Sequence, residues 1–243
     1  MHASWPALLI LLPATVVSGF ATSAPSWQEL PPEKFEALPA VRARIDFANF
    51  NHDLMAAAIF HETNRVRQKM GLRQFRHLTQ LDAAADTQAA VGAAMIDMSH
   101  HNPLHSLAWV SDRVAAVGLE PRTVAENIAL TPALDAGSAG SAVSTRVDGD
   151  RRVAYDPHTG RDFRPLSYAE FAALVVLQWM ESPGHRANLL NPELRCLGCS
   201  ARWRKEISGV DMLYSVQVFF TPAQPTSSGV NQRVGATRPH SQL

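Results

Sequence analysis

The sequence predicts one domain in which helices and strands are intermixed, and three stretches carry that prediction. Ser167 to Asn191 opens with Ser167 and, three residues on, Glu170, the pattern of a capping box; from Phe171 to Met180 only Gln178 is polar. A helix starting at Tyr168 and apolar nearly all round must be covered on more than one side. Leu54, Ala57, Ala58, Val66 and Met70 recur at helical spacing before Gly71 ends the run. Leu194 to Trp203 and Met212 to Phe220 alternate apolar and polar residues, the period of strands, and Lys205 to Gly209 reads as the turn joining them. The sum is an α+β domain of about four helices and three or more strands.

Lys+Arg and Asp+Glu both number 22, so no net field favours nucleic acid or an anionic membrane as partner. With 46% hydrophobic residues and five Trp, a sizeable core is available. Residues 1–24 read as a cleaved export signal. Ala7 to Val17 is apolar, broken only by Pro13, and small residues at Gly19-Phe20-Ala21 or Thr22-Ser23-Ala24 offer a cleavage site. The run is too short to span a bilayer, and the expected location is secreted or periplasmic. Residues 25–51 mix Pro with charges and read as a linker or N-terminal arm. The domain proper is expected over 52–221 and a Pro/Ser/Gly/Gln tail over 222–243.

Within the domain a second helix is expected from Leu81 to Met98, where Ala85, Ala89 and Ala93 form a small-residue face that admits a close neighbour. A third spans Leu107 to Val117 and closes at Gly118. Val124 to Leu130 reads as extended backbone carrying Glu126 among apolar residues. Residues 131–165 change character and read as an inserted hairpin, with a turn at Asp156 to Gly160. Two catalytic patterns fail. His61-Glu62 lacks the second histidine of a zinc-protease helix, since Arg65 stands four residues after His61. Ser138 lacks the first glycine of a hydrolase elbow, Ala136 taking its place, and no strand precedes it.

Three segments end or break at an imidazole or an acid: His100 or His101, Glu126, and His185 after the break at Ser182-Pro183-Gly184, with Glu181 in the last helical turn. Converging in a cleft, such groups either bind a divalent metal or hold one another by charge-assisted hydrogen bonds. Taken singly, each also has an ordinary role as a helix cap or backbone partner. Cys196 and Cys199 admit a local disulfide, two free packed thiols, or a metal or redox pair. Residues three apart on a strand face opposite ways, so a disulfide would need a local turn.

The ordered motifs Ser99-His100, Ala125-Glu126-Asn127-Ile128-Ala129, Trp179 to Leu190 and Tyr214 to Phe219, with Asn64 and Arg67 in the first helix, resemble the bacterial branch of the CAP superfamily. That superfamily comprises cysteine-rich secretory, antigen 5 and pathogenesis-related 1 proteins, including SCP-like extracellular domains. The resemblance covers roughly Asp53 to Thr221. It implies a three-layer α-β-α sandwich and a cleft lined by two His and two Glu. His100, Glu126 and His185 fall on three of these positions, with Ala125 replacing the family's Gly. The second acid falls at Ser182; Glu181 is one residue earlier, about 100° round the helix. Family members are secreted, and several bind sterols, fatty acids or other lipids, or hold zinc or magnesium in the cleft. The resemblance therefore implies an exported protein whose His/Glu cleft binds a divalent cation such as Zn2+, a small or lipid ligand, or both. His100 and His185 would be the metal ligands. A metal-dependent hydrolase using the same residues is the runner-up, although the sequence supplies no obvious nucleophile.

Overall fold

In the computed structural model, which describes residues 26–136, 142–149, 151–205 and 209–223, a four-stranded sheet lies between two helical layers. In chain order the regular elements are α1 (Pro32–Glu36), α2 (Pro39–Arg42), α3 (His52–Lys69), β1 (Arg76–His77), α4 (Thr79–Met95), α5 (Val110–Ala116) and β2 (Pro121–Pro132). They continue with β3 (Ser144–Asp148), β4 (Arg151–Tyr155), α6 (Tyr168–Glu181), α7 (Pro183–Leu190), β5 (Cys196–Lys205) and β6 (Asp211–Pro222). The sheet order is β1-β5-β6-β2, antiparallel throughout except for the two-residue parallel pairing of β1 with β5.

The alternation of β6 builds both cores at once. Tyr214, Val216, Val218 and Phe220 pack with Leu81, Ala85 and Ala89 of α4 and Val114 of α5. Leu213 and Phe219 point the other way, into the layer of α3, α6 and α7. A strand buried on both faces loses the polar-out half of its pattern, and here buried Ser215 and Gln217 keep the alternation visible. The α-β-α sandwich expected from the motifs is the fold observed.

Small residues set the spacing of α4 on the sheet. Ala85 and Ala89 are wholly buried. A Cβ on Gly198 of β5 would lie 2.2 Å from the Leu81 carbonyl carbon, and one on Gly92 would lie 2.0 Å from Cζ of Tyr214. Helix α6 begins as its capping box predicts: the Ser167 hydroxyl accepts from the Glu170 N–H (3.2 Å), and the Ser167 N–H donates to Oε2 of Glu170 (2.8 Å). Its Trp179 is buried and donates from Nε1 to the Ile128 carbonyl across to β2 (3.2 Å).

Four features differ from the sequence reading. Residues 27–49, read as a linker or N-terminal arm, form short helical turns docked on the domain, which that reading did not include. Phe35, Val41 and Ile45 join the α3/α6 core, and Phe35 stacks on His61 with centroids 4.2 Å apart. Helices of five and four residues are too short to show a period, which hides this segment from pattern reading. Pro183 breaks α6 but also starts α7 at its first position, where a missing N–H costs nothing. His185 therefore sits in the first turn of a second short helix, where the sequence showed only the break. In the insertion β3 and β4 form an additional hairpin that was not expected, while the expected Asp156 turn also forms, with Tyr155 bridged to Asp162 across it. Finally, Cys196 and Cys199 are free and buried, so the disulfide alternative is overturned. Cys196 faces α4 and Cys199 faces the α3 layer, because an uninterrupted strand turns residues three apart to opposite sides. The export signal, Ser138 and the tail beyond Ala223 lie outside the described residues.

Candidate functional site at the β2 edge

Strand β2 closes one side of the sheet, and the two helical layers meet around it. Glu126 and Ile128 turn towards α4 and α5, and Asn127 turns towards α7. The Glu126 side chain is 2% exposed and both oxygens are engaged. Oε1 accepts from Nδ1 of His100 (2.8 Å), and Oε2 accepts from the guanidinium of Arg113 (2.5 Å). Arg113 is wholly buried and also donates to the carbonyls of Leu107 (3.0 Å) and Ala108 (3.3 Å). A buried carboxylate persists in its charged form only with such a partner. Sequence reasoning missed Arg113. A lone arginine in the third helix carries no sign of its partner in the sequence.

His100 bridges buried and exposed surroundings, with 51% of its side chain accessible. A carboxylate accepts, so Nδ1 carries a proton, and in the neutral ring Nε2 then keeps a lone pair facing away from Glu126. The loop that presents His100 is pinned from beneath. Tyr214 donates to the Asp97 carbonyl (2.7 Å), Gln88 donates to the Ser99 carbonyl (2.8 Å), and buried Asn102 donates to Gln88 Oε1 (3.2 Å). Burial, with the Glu126 charge adding to it, pushes the Tyr214 hydroxyl pKa up to about 12, so it stays a donor. His101 points elsewhere, its ring edge-on to Trp109.

His185 approaches from the other layer. Asn127 donates to the His185 carbonyl (3.2 Å) and to Gln217 (3.1 Å), while Asn188 donates to Asn127 Oδ1 (2.9 Å). Gln217 in turn donates to the buried Thr63 hydroxyl (2.7 Å). This polar network runs from α3 along one face of the sheet to α7 and fixes the start of that helix. Desolvation, then the nearby His100 imidazole, holds the His185 pKa below the ordinary histidine value. The imidazole is neutral at pH 7 and keeps a lone pair.

The remaining candidates stand apart. Glu181 is exposed on the last turn of α6 and makes no hydrogen bond or ion pair among the described residues. Asp156, His158 and Arg161 bond within the insertion and to Asp135. Among the described residues no group of three or more His, Cys, Asp or Glu is arranged to hold a metal. With both Glu126 oxygens engaged, a cation here would meet the two imidazoles and no free carboxylate oxygen, so water or ligand atoms would have to complete its shell. In the segments that flank His100 along the chain, Met95, Ile96, Met98, Leu104 and Trp109 are each about half exposed.

Three solved structures are similar to this chain. An extracellular protein containing a SCP domain from Bacillus anthracis is 19% identical, with 70% of this chain and 41% of that one covered and a TM-score of 0.44. An outer surface protein from Borrelia burgdorferi is 15% identical, with 74% and 98% covered and a TM-score of 0.45. A cysteine-rich secretory protein from Staphylococcus aureus is 13% identical, with 70% and 39% covered and a TM-score of 0.41. The chain thus spans less than half the length of the Bacillus and Staphylococcus proteins. No curated protein matches in sequence. The sequence model of the CAP group, the cysteine-rich secretory protein family, matches residues 60–219, and the chain belongs to that family.

Proposed function

We propose that this chain is an exported binding module whose cleft, built on His100, Glu126 and His185, takes a small ligand, a divalent cation or both. The observation that carries the reading is the paired imidazoles. His100 is held in one tautomer by a buried carboxylate, and a second imidazole beside it is kept neutral. Orientation by a carboxylate behind the ring is the arrangement that raises the basicity of a ligating histidine. Zn2+ or a similar ion would be held there by His100 and His185, and its charge would draw an anionic or carbonyl group of a ligand into the cleft. The half-exposed apolar residues that flank His100 along the chain support a lipid or otherwise apolar body for that ligand. Export rests on the apolar run Ala7 to Val17 and on the family's secretory character. Among the described residues no helix is long and apolar enough to cross a membrane.

Calorimetric titration of the purified protein with Zn2+ tests the cation half of the reading. Wild type should bind one ion, and His100→Ala or His185→Ala should weaken binding by about tenfold or more. Unchanged binding in the double variant would remove the site. The His100–Glu126 pair is also the arrangement of an oriented general base, which favours hydrolysis as a second reading. Turnover of a peptide, ester or glycan substrate that His185→Ala abolishes with the fold intact would select it.

A further inference from the structure

The opposite edge of the sheet holds a cavity that the family resemblance did not anticipate. Strand β1 is two residues long and pairs with Cys196 and Leu197, so among the described residues β5 has no strand neighbour on that side from Cys199 onward. Helices α3 and α4 flank the open edge, and side chains close it. Asp82 accepts from the Cys199 N–H (2.8 Å), and His52 donates from Nδ1 to the Ala201 carbonyl (3.0 Å). The space left is about 620 Å³, within the range of sites for small organic molecules, and none of the His100, Glu126 or His185 side chains lines it.

Its chemistry is one-sided. Asp53, Asp82 and Asp86 line it against one cation, Arg202. That guanidinium is already taken by Asp86, which also accepts from the Ser200 hydroxyl (2.8 Å). An anion would therefore find no free guanidinium or ammonium, whereas Asp53 offers an exposed carboxylate and Asp82, bonded to an N–H and an imidazole, has no guanidinium or ammonium against it. The two imidazoles point to the same choice. A carbonyl and a carboxylate can only accept, so His52 donates from Nδ1 and His77 donates from Nε2 to Asp82 Oδ2 (2.6 Å). In its neutral form each ring keeps its other nitrogen as an acceptor. Ala56 and Ala83 supply apolar wall between these groups. An added peptide strand is disfavoured, because the Cys199 and Ala201 edge groups are already bonded.

We propose that this cavity is a second binding site, separate from the β2-edge cleft, and that it takes a small organic cation: an amine or guanidinium on a short apolar body. The carboxylates of Asp53 and Asp82 provide the charge, and His52 and His77 accept the N–H groups. Binding is driven by charge and so weakens as salt rises.

The test uses the full chain at low ionic strength, with agmatine as probe and hexanol and hexanoate as neutral and anionic comparisons. Imidazole NMR signals of His52 and His77 report on the cavity. Agmatine should shift both saturably, and hexanol and hexanoate should not. Asp53 is exposed and, among the described residues, hydrogen-bonded to no other side chain, so Asp53→Asn should keep the fold while weakening agmatine roughly fivefold, and Asp53→Lys further. His185→Ala should leave agmatine binding unchanged, which separates this site from the cleft. No saturable shift with agmatine, equal binding of hexanoate, or an Asp53→Lys variant that binds like wild type would each overturn the proposal.

Discussion

The two edges of one sheet solve the same problem differently. At the β2 edge, Glu126 is 2% exposed, holds His100 at 2.8 Å and has a buried guanidinium behind it. At the β5 edge, Asp82 is 22% exposed, holds His77 at 2.6 Å and has a backbone N–H instead of a cation. A fully buried carboxylate needs a counter-charge within the protein, whereas a half-buried one is supported by water and by hydrogen bonds. The β2 pair is thus a neutralised, rigid device that presents an imidazole. The β5 pair leaves negative charge facing a cavity.

The largest effect follows from breaking the counter-charge. Arg113→Met should leave Glu126 buried without its partner and destabilise the fold by about 3–5 kcal/mol. The matching change at the other edge, Arg202→Met, removes a pair in which both side chains are about one-third exposed, and screening limits that loss to about 1 kcal/mol or less. Urea unfolding of the two variants side by side measures the difference. Equal losses would refute the contrast.

Glycine substitutions sharpen the comparison at intermediate scale. Gly198→Ala drives a Cβ into the α4 backbone at Leu81 and should cost about 1–3 kcal/mol. Gly184→Ala, in the helix that carries His185, meets nothing within 4 Å and should be neutral or stabilise by up to about 1 kcal/mol. Thermal melts of both read the sign.

The pH dependence is smaller and has a fixed sign. His185 and His61 both have pKa values held below the ordinary 6.5, in each case chiefly by burial. The unfolded chain takes up these protons first, so stability is full above about pH 6.5 and falls as the pH drops through that value towards the folded pKa values. Replacing His61 and His185 with Gln should flatten this part of the profile. The smallest signal concerns the thiols. Burial pushes the Cys199 thiol pKa up, so without reductant neither Cys196 nor Cys199 should react with a thiol reagent until the protein unfolds, when both should.

Local chemistry made much of the fold legible. The Ser167/Glu170 box, the alternation in β6 and the small-residue face of α4 each act over a few residues and leave a pattern. The pieces hidden from pattern reading depend on tertiary partners. Phe35 and Val41 sit in helices too short to have a period. Pro183 both ends one helix and starts another, and a sequence shows only the break. The cleft was partly legible because His100, Glu126 and His185 lie within recognisable motifs. Arg113 was not, since a lone arginine in a helix gives no sign of whether it faces solvent or a carboxylate. The β5 cavity was invisible for the same reason: His52, His77, Asp82 and Arg202 are ordinary surface residues until an unpaired strand edge gathers them.

The most direct test of the cleft is a Zn2+ titration of the wild-type protein followed through the imidazole nitrogens. The account predicts that His100 starts as the Nδ1-protonated tautomer and that His100 and His185 signals change together, reaching saturation at one ion per chain. A His100 ring protonated on Nε2 instead, or a zinc response at only one of the two rings, would contradict it.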